Sequence, residues 1–137
     1  MNLFDSIEWM EIAEQDLFSA KILNEHYRKP VEVICHLCAQ SAEKHLKGFI
    51  TYHDLEPDKT HNLHNLLKVC INIDDSFNNI LAECNFINKF TTNIRYPHRR
   101  EVSETDADHC IRCVEKIMTF PLIKNLIDAT KDSSNQN

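Results

Sequence analysis

A near absence of glycine is the feature that most restricts how this chain folds. Gly48 is the single glycine, and four prolines accompany it. A sheet of many strands needs numerous tight turns, and many of those turns require glycine. A few breaks are enough, in contrast, to separate four or five long helices. We therefore predict an all-α protein, and 137 residues are enough for one domain with its own core.

Apolar residues recur at helical spacing in the first half of the chain. Asp5 with Glu8 resembles a capping box, and it opens a helix that we predict to run to about Tyr27. Pro30 suits the first turn of a second helix, which extends to about His53. A break around Pro57 precedes a short third helix with two candidate N-caps, Thr60 and Asn62.

The second half predicts two more helices. The fourth begins at Asp74 or Asp75 and ends before Pro97, and the last begins at a capping box made by Ser103 and Asp106. Pro121 is predicted to kink or restart this last helix. We expect one domain over residues 1–130, followed by a disordered polar tail over 131–137.

Charge and cysteine content limit the functional classes. No segment reaches the ~20 apolar residues of a membrane helix, and no apolar leader follows a basic start, so we expect a cytoplasmic protein that does not enter membranes. The six cysteines are then expected to be free thiols. With a net charge of −6, any contact with nucleic acid must be local.

One face of the second helix is unusually polar. At ~100° per residue, a single arc contains five side chains: His36, Gln40, Glu43, Lys44 and Lys47. An ordinary solvated face, with Glu43 and Lys47 as an i,i+4 pair, is the alternative interpretation.

Asp16 lies inside the apolar stripe of the first helix. A carboxylate desolvated there without a partner is costly, so Asp16 is expected to meet a donor from elsewhere in the fold. The candidate donors are Lys44, His61 and Arg95.

A second polar cluster surrounds Arg95. Its guanidinium can bind a phosphate through two N–H groups, and Tyr96 beside it can stack on a base or donate its hydroxyl. His98, Arg99 and Arg100 follow closely. The alternatives are a solvated basic loop, or a structural corner in which Arg95 pairs with Asp16.

Metal and cofactor sites are not expected. The two CxxC units formed by Cys35, Cys38, Cys110 and Cys113 superficially resemble a zinc site, but the first three continue apolar helical stripes. Cys113 is left unexplained by this pattern. His61 and His64 are better explained as polar residues near a helix start, and one glycine cannot build a phosphate-binding loop. No cofactor is therefore predicted.

Together, these segments resemble the HEPN family of small helical domains. Four strings in the expected order and on the expected helices carry the resemblance: Trp9-x3-Ala13-x2-Asp16-Leu17-x2-Ala20, Gln40-x2-Glu43-Lys44-x2-Lys47, Thr60-His61-x-Leu63 and Arg95-Tyr96-Pro97. The resemblance implies an antiparallel up-and-down four-helix bundle with a short additional helix. It also implies a homodimer in which polar residues of both subunits line a shared cleft.

The resemblance allows three functions. Ribonuclease members carry an arginine followed four to six intervening residues later by a histidine, whereas only His98 follows Arg95 closely, after two residues. We therefore favour a nucleotide- or RNA-binding, or partner-binding, module that acts with a separately encoded minimal nucleotidyltransferase, as in a toxin–antitoxin pair. Its expected binding residues are Asp16, Gln40, Lys44, Lys47, His61, Arg95 and Tyr96. The alternatives are a metal-independent ribonuclease using Arg95, His98 and His61, and a non-catalytic dimerisation scaffold.

Overall fold

A computed structural model describes residues 1–91 and 101–135, with side chains placed up to residue 133. Within those ranges every regular element is helical, which confirms the all-α prediction. In chain order the elements are α1 (Leu3–Asn24), α2 (Val31–Tyr52), α3 (Leu63–Ile73), a 3-10 helix (Asp75–Ile80), α4 (Leu81–Asn88), α5 (Glu104–Thr119) and α6 (Pro121–Asn135).

The two longest helices, α1 and α2, form an antiparallel pair. The amide of Asn2, before α1, donates to the carbonyl of Tyr52 at the end of α2, at 2.8 Å. Gly48 lies at a close contact between the two helices, since a Cβ there would be 2.8 Å from Cε of Met10 and 3.2 Å from Cβ of Trp9. The single glycine therefore permits a close helix contact and is not needed for a turn.

Helix α2 is the centre of the bundle, because it contacts each of the other five α-helices. Most of its apolar side chains are buried, including Ile34, Leu46 and Ile50. The polar residues Ser41 and His45 are also buried on this helix. The Ser41 hydroxyl donates to the Ala13 carbonyl of α1 at 2.7 Å.

His45 is a buried histidine that bonds within its own helix. Its Nδ1 lies 2.9 Å from the Ser41 carbonyl, which can only accept, so Nδ1 bears the proton. Burial lowers the pKa of His45 to about 4, against a smaller opposing effect of this backbone hydrogen bond. The imidazole is therefore neutral in the folded protein near neutral pH.

The helix starts differ in how well the sequence predicted them. The predicted Asp5/Glu8 capping box is wrong, because α1 begins earlier and the Asn2 side chain accepts from the Asp5 amide. Asn62 caps α3, as one of the two candidates predicted. The Ser103/Asp106 capping box at α5 is confirmed.

The predicted fourth helix is two elements. Asp74 accepts hydrogen bonds from both the amide and the hydroxyl of Ser76, which starts a 3-10 helix over Asp75–Ile80 before α4 begins. The later part of that prediction falls on residues 92–100, outside the described ranges.

Pro121 restarts the chain as α6, as predicted, because its missing amide costs nothing at a first helical position. The expected polar tail begins as helix instead, since α6 continues to Asn135. The Lys131 ammonium there is 3.3 Å from a Glu14 carboxylate oxygen. No helix in the described part of the chain is both long and apolar enough to cross a bilayer.

Candidate functional site

A buried carboxylate, Glu43, organises a polar seam where α2 faces α1 and the segment before α3. We define the polar seam as Trp9, Asp16, Gln40, Glu43, Lys44, Lys47 and His61. Only 1% of the Glu43 side chain is exposed. Its Oε2 is 2.8 Å from Lys44 Nζ and 3.2 Å from Lys47 Nζ, and its Oε1 is 2.7 Å from His61 Nδ1. Three donors thus converge on one carboxylate.

These donors keep Glu43 ionised. Burial by itself raises the pKa of Glu43, but hydrogen bonds from Lys44 and His61, with the charges of Lys44 and Lys47, bring that pKa below its usual value. A buried charge compensated in this way is stable, whereas the same charge without its partners is not.

His61 joins the polar seam from the segment between α2 and α3. The Thr60 hydroxyl accepts from the Asn62 amide at 3.0 Å, and the Leu63 amide donates to Oδ1 of Asn88 at 2.7 Å. These bonds hold the backbone on both sides of His61. Because a carboxylate only accepts, Nδ1 of His61 bears a proton, and Nε2 is the ring nitrogen that Glu43 does not bind. The His61 side chain is 56% exposed, so solvent reaches it.

Two ammonium groups lie beside one indole. Nζ of Lys44 is 5.9 Å and Nζ of Lys47 is 5.7 Å from the centre of the Trp9 ring, within the range of cation–π attraction. Lys44 also donates to Oε1 of Gln40 at 3.2 Å. Trp9 itself is only partly buried. The seam therefore combines positive charge with an aromatic surface.

Asp16 is half-buried near these groups. Burial has the largest effect on the pKa of Asp16 and raises it. The charges of Lys44 and His36 lower this pKa, whereas the charge of Glu43 raises it. Lys44 is one of the three donors predicted for Asp16, but only its charge acts on Asp16, and no hydrogen bond or ion pair joins the two side chains. No described cation is within 4 Å of its carboxylate, and His61 binds Glu43 instead. The predicted pairing with Arg95 lies outside the described residues.

The structure brings together four of the predicted site residues, Gln40, Lys44, Lys47 and His61, around Glu43. Arg95, Tyr96 and His98 fall in the segment 92–100, outside the described ranges.

Sequence reasoning did not include two members of the polar seam among the binding residues. It placed Glu43 on the polar face of α2 without a binding role, and it named Trp9 only in the family-like string of α1. Lysines one and four residues after a glutamate were the available signal for Glu43.

The cysteines belong to the core. All six are free and buried, and the CxxC units of α2 and α5 lie close together, since the Cys35 thiol raises the pKa of Cys110. Cys113, which the sequence left unexplained, is 5% exposed and packs in the same apolar cluster. No three His, Cys, Asp or Glu side chains of residues 1–91 and 101–133 are arranged to hold a metal ion.

Comparison with known proteins assigns the fold to a family. The HEPN domain model matches residues 7–126. The crystal structure of ST0689, an archaeal HEPN homologue, shares 29% identity and covers 89% of this chain and 97% of its own, with a TM-score of 0.68. TT1696 from Thermus thermophilus has the same fold at 18% identity, with 92% and 99% coverage and a TM-score of 0.73. No curated protein matches. Because the family match spans most of the chain, the protein belongs to the HEPN domain family.

Proposed function

We propose that this protein is a nucleotide- or RNA-binding HEPN module whose polar seam receives the phosphate and base of one nucleotide. The observation that supports this most directly is the position of Lys44 and Lys47 beside the Trp9 ring.

The lysines retain capacity for a phosphate. An ammonium has three N–H donors. Lys44 directs two toward Gln40 and Glu43, and Lys47 directs one toward Glu43. The remaining donors can bind phosphate oxygens as charge-assisted hydrogen bonds, and Glu43 holds both ammonium groups in place beforehand. We also propose that Arg95, from the Arg95-Tyr96-Pro97 string that resembles the family, adds a bidentate phosphate contact.

Trp9 supplies the surface for a base. Base–aromatic stacking contributes about 1–3 kcal/mol per base and tolerates any base identity. An acidic protein with net charge −6 needs such a local, partly apolar contact, because its overall field repels polyanions. Stacking on Trp9 with phosphate at Lys44 satisfies both requirements.

Calorimetry with ATP, GTP and a short single-stranded RNA tests this proposal. We expect binding that weakens at least about tenfold in Lys44→Ala and Trp9→Leu, provided circular dichroism shows that both variants are folded. Lys124→Ala is the matched control, because Lys124 is an exposed lysine paired with Asp128 on α6. Absence of heat with all three ligands, or an equal loss in the control, would refute the proposal.

A ribonuclease is the second candidate, and the Glu43–His61 pair is the observation that favours it. A carboxylate that fixes Nδ1 of a partly exposed histidine leaves Nε2 available as a general base. In this mechanism His61 removes the proton from a ribose 2′-hydroxyl, whose oxygen attacks the adjacent phosphorus and displaces the 5′-oxygen of the next nucleotide. That oxygen takes a proton from water, and Arg95 stabilises the phosphate charge.

Incubation with a mixed RNA pool and a metal chelator, resolved on a denaturing gel, distinguishes the two candidates. A ribonuclease loses cleavage in His61→Ala and Arg95→Ala but keeps it in His64→Ala, the exposed neighbouring histidine. Intact RNA with the unaltered protein favours the binding module. Cleavage that persists in His61→Ala and Arg95→Ala indicates a contaminant.

We further propose that the module is a homodimer that acts with a minimal nucleotidyltransferase, as the resemblance to HEPN proteins implies. Light scattering tests the first part, and a monomer at all concentrations would refute it. Co-purification with a nucleotidyltransferase encoded beside the protein tests the second. Loss of that complex in a seam variant would place the partner at the polar seam, and no complex at all would refute the partnership.

A further inference from the structure

A wide groove runs along the first half of α1, beside the end of α2 and the segment that follows it. We call it the α1 groove. Its volume is about 1060 Å³. Trp9 and Lys47, two members of the polar seam, also line this groove, and the rest of the groove lies outside that seam.

The α1 groove has apolar walls that no described residue covers. Phe4 is 82% exposed and Leu55 is 47% exposed, and Ile7, Ile12 and Pro57 line the groove between them. Large apolar side chains exposed together in a groove are typical of protein-binding sites. In the same wall, the buried Oγ1 of Thr51 has no hydrogen-bond partner within the described residues.

Carboxylates surround these apolar walls. Six line the groove, against two lysines, of which Lys47 is already paired with Glu43. Five of the carboxylates form no ion pair with any described residue: Asp5, Glu8, Glu11, Glu56 and Asp58. A polyanion is therefore repelled from this surface, and a cationic partner is attracted to it.

We propose that the α1 groove docks a basic amphipathic helix of a partner protein, with its apolar side chains on Phe4 and Leu55 and its lysines or arginines on the surrounding carboxylates. This inference does not depend on the nucleotide proposal, because the apolar walls and unpaired carboxylates that support it lie outside the polar seam, although the two surfaces share Trp9 and Lys47.

A helix is the form of partner that suits this groove. Docking by an extended strand needs a sheet edge to supply backbone hydrogen bonds, and no strand occurs in residues 1–91 or 101–135. A helix satisfies its own backbone and presents apolar anchors on one face. The groove follows α1 from Asn2 to Ile12, a length of about 15 Å at 1.5 Å per residue, which three helical turns cover.

Trp9 provides the readout, because it is the only tryptophan of the chain and lines the groove. The probe is a synthetic peptide of about 14 residues with leucine at helical spacing and lysine elsewhere, and the control peptide has glutamate in place of lysine. We expect the lysine peptide to change Trp9 fluorescence saturably at one peptide per chain. We expect the glutamate peptide to have no effect.

Charge-matched variants separate docking from general attraction to an acidic protein. Glu8→Lys with Asp58→Lys changes the groove, whereas Glu25→Lys with Asp132→Lys changes two exposed carboxylates elsewhere by the same net charge. The groove pair, and separately Phe4→Ser, should weaken peptide binding at least about tenfold, and the control pair by less than about twofold. Lys44→Ala, a seam variant, should bind the peptide normally.

Three results would overturn the proposal. Equal weakening by both charge-reversed pairs would show non-specific attraction, and equal binding of the two peptides would show that charge is irrelevant. A dimer that Phe4→Ser converts to monomers, in a protein that does not bind the peptide, would show that a second copy of this chain occupies the groove.

Discussion

The Glu43 carboxylate and the His61 imidazole are 2.7 Å apart although 18 residues separate them in the chain. This contact fastens the segment between α2 and α3 to the middle of α2. It also makes Glu43 serve three donors at once, since Lys44 and Lys47 bind its other oxygen. The consequences of removing that carboxylate are therefore larger than those of removing an ordinary helix-surface glutamate.

We predict that Glu43→Ala destabilises the protein by about 2–4 kcal/mol, because it leaves two largely buried ammonium groups without their counter-charge. Only 17% of the Lys44 side chain and 9% of the Lys47 side chain is exposed. Glu43→Gln keeps the side-chain shape and an acceptor oxygen, so we expect it to lower the free energy of unfolding by less than Glu43→Ala does. Urea unfolding measures both values.

Glu14→Ala is the control for this prediction. Glu14 pairs with Lys131 at 3.3 Å, but both side chains are more than half exposed, so the loss should be below about 1 kcal/mol. If Glu43→Ala is no less stable than Glu14→Ala, the buried Glu43 carboxylate does not stabilise the fold through its three donors, and the prediction is wrong.

Protein stability should fall as the pH decreases from 7 to 5 because of His45. The pKa of His45 is 6.5 before folding and about 4 in the folded state, where burial lowers it. The unfolded chain therefore binds the proton first, and the stabilisation present above pH 6.5 is lost as the pH falls toward 4. We expect a loss of about 2 kcal/mol between pH 7 and pH 5 from this residue.

The variant His45→Gln removes this dependence, since an amide can bond the Ser41 carbonyl without titrating near these pH values. Urea unfolding at a series of pH values should show a flatter profile for His45→Gln than for the unaltered protein. His26→Gln, at an exposed histidine, should keep the original slope. The lowered pKa of Glu43 keeps that carboxylate ionised in the folded state through this range. An unchanged slope in His45→Gln would contradict the prediction.

The six thiols should react slowly in the native protein. All are buried, and burial raises the pKa of Cys38 and Cys70 above the usual range and that of Cys84 to about 12. Because the thiolate is the reacting form, a disulfide reagent such as Ellman's should label them only as the protein unfolds. We expect complete labelling of six thiols in guanidinium chloride. Rapid labelling of any thiol in native buffer would contradict the assignment of all six to the core.

Gly48→Leu should destabilise the protein by about 1–3 kcal/mol through overpacking against α1. A Cβ at this position already lies 2.8 Å from Cε of Met10 and 3.2 Å from Cβ of Trp9. Met10→Ala removes the flexible half of this obstruction, so the double variant should lose less stability than the sum of the two single variants. Thermal unfolding of the three variants measures the difference, and strict additivity would contradict the contact.

Helical periodicity was enough to predict most of the elements. The stripes of α1, α2 and α5 place residues such as Ala13, Leu46 and Val114 in the core, where the structure has them. The effect of one local side-chain hydrogen bond was harder to predict. Asp74 bonds Ser76 and begins a 3-10 helix, whereas apolar spacing alone predicted one continuous helix from that point.

The polar seam was predicted in part. One helical arc puts Gln40, Lys44 and Lys47 on the same side of α2, and the sequence could supply this without knowledge of tertiary packing. The burial of Glu43 could not be inferred in the same way. It depends on how α1 and the His61 segment cover α2, and a glutamate with a lysine four residues later is equally typical of a solvated face.

Helix α2 contacts all five other α-helices, so the polar seam lies on an element whose contacts are all lost only when the whole bundle unfolds. A ligand bound by Lys44 and Lys47 would therefore stabilise the whole bundle against unfolding, and not only restrict the motion of a surface loop. At a concentration one hundred times its dissociation constant, such a ligand adds about 2.7 kcal/mol to the free energy of unfolding. The melting temperature of the intact protein can thus serve as a detector for searching collections of nucleotides.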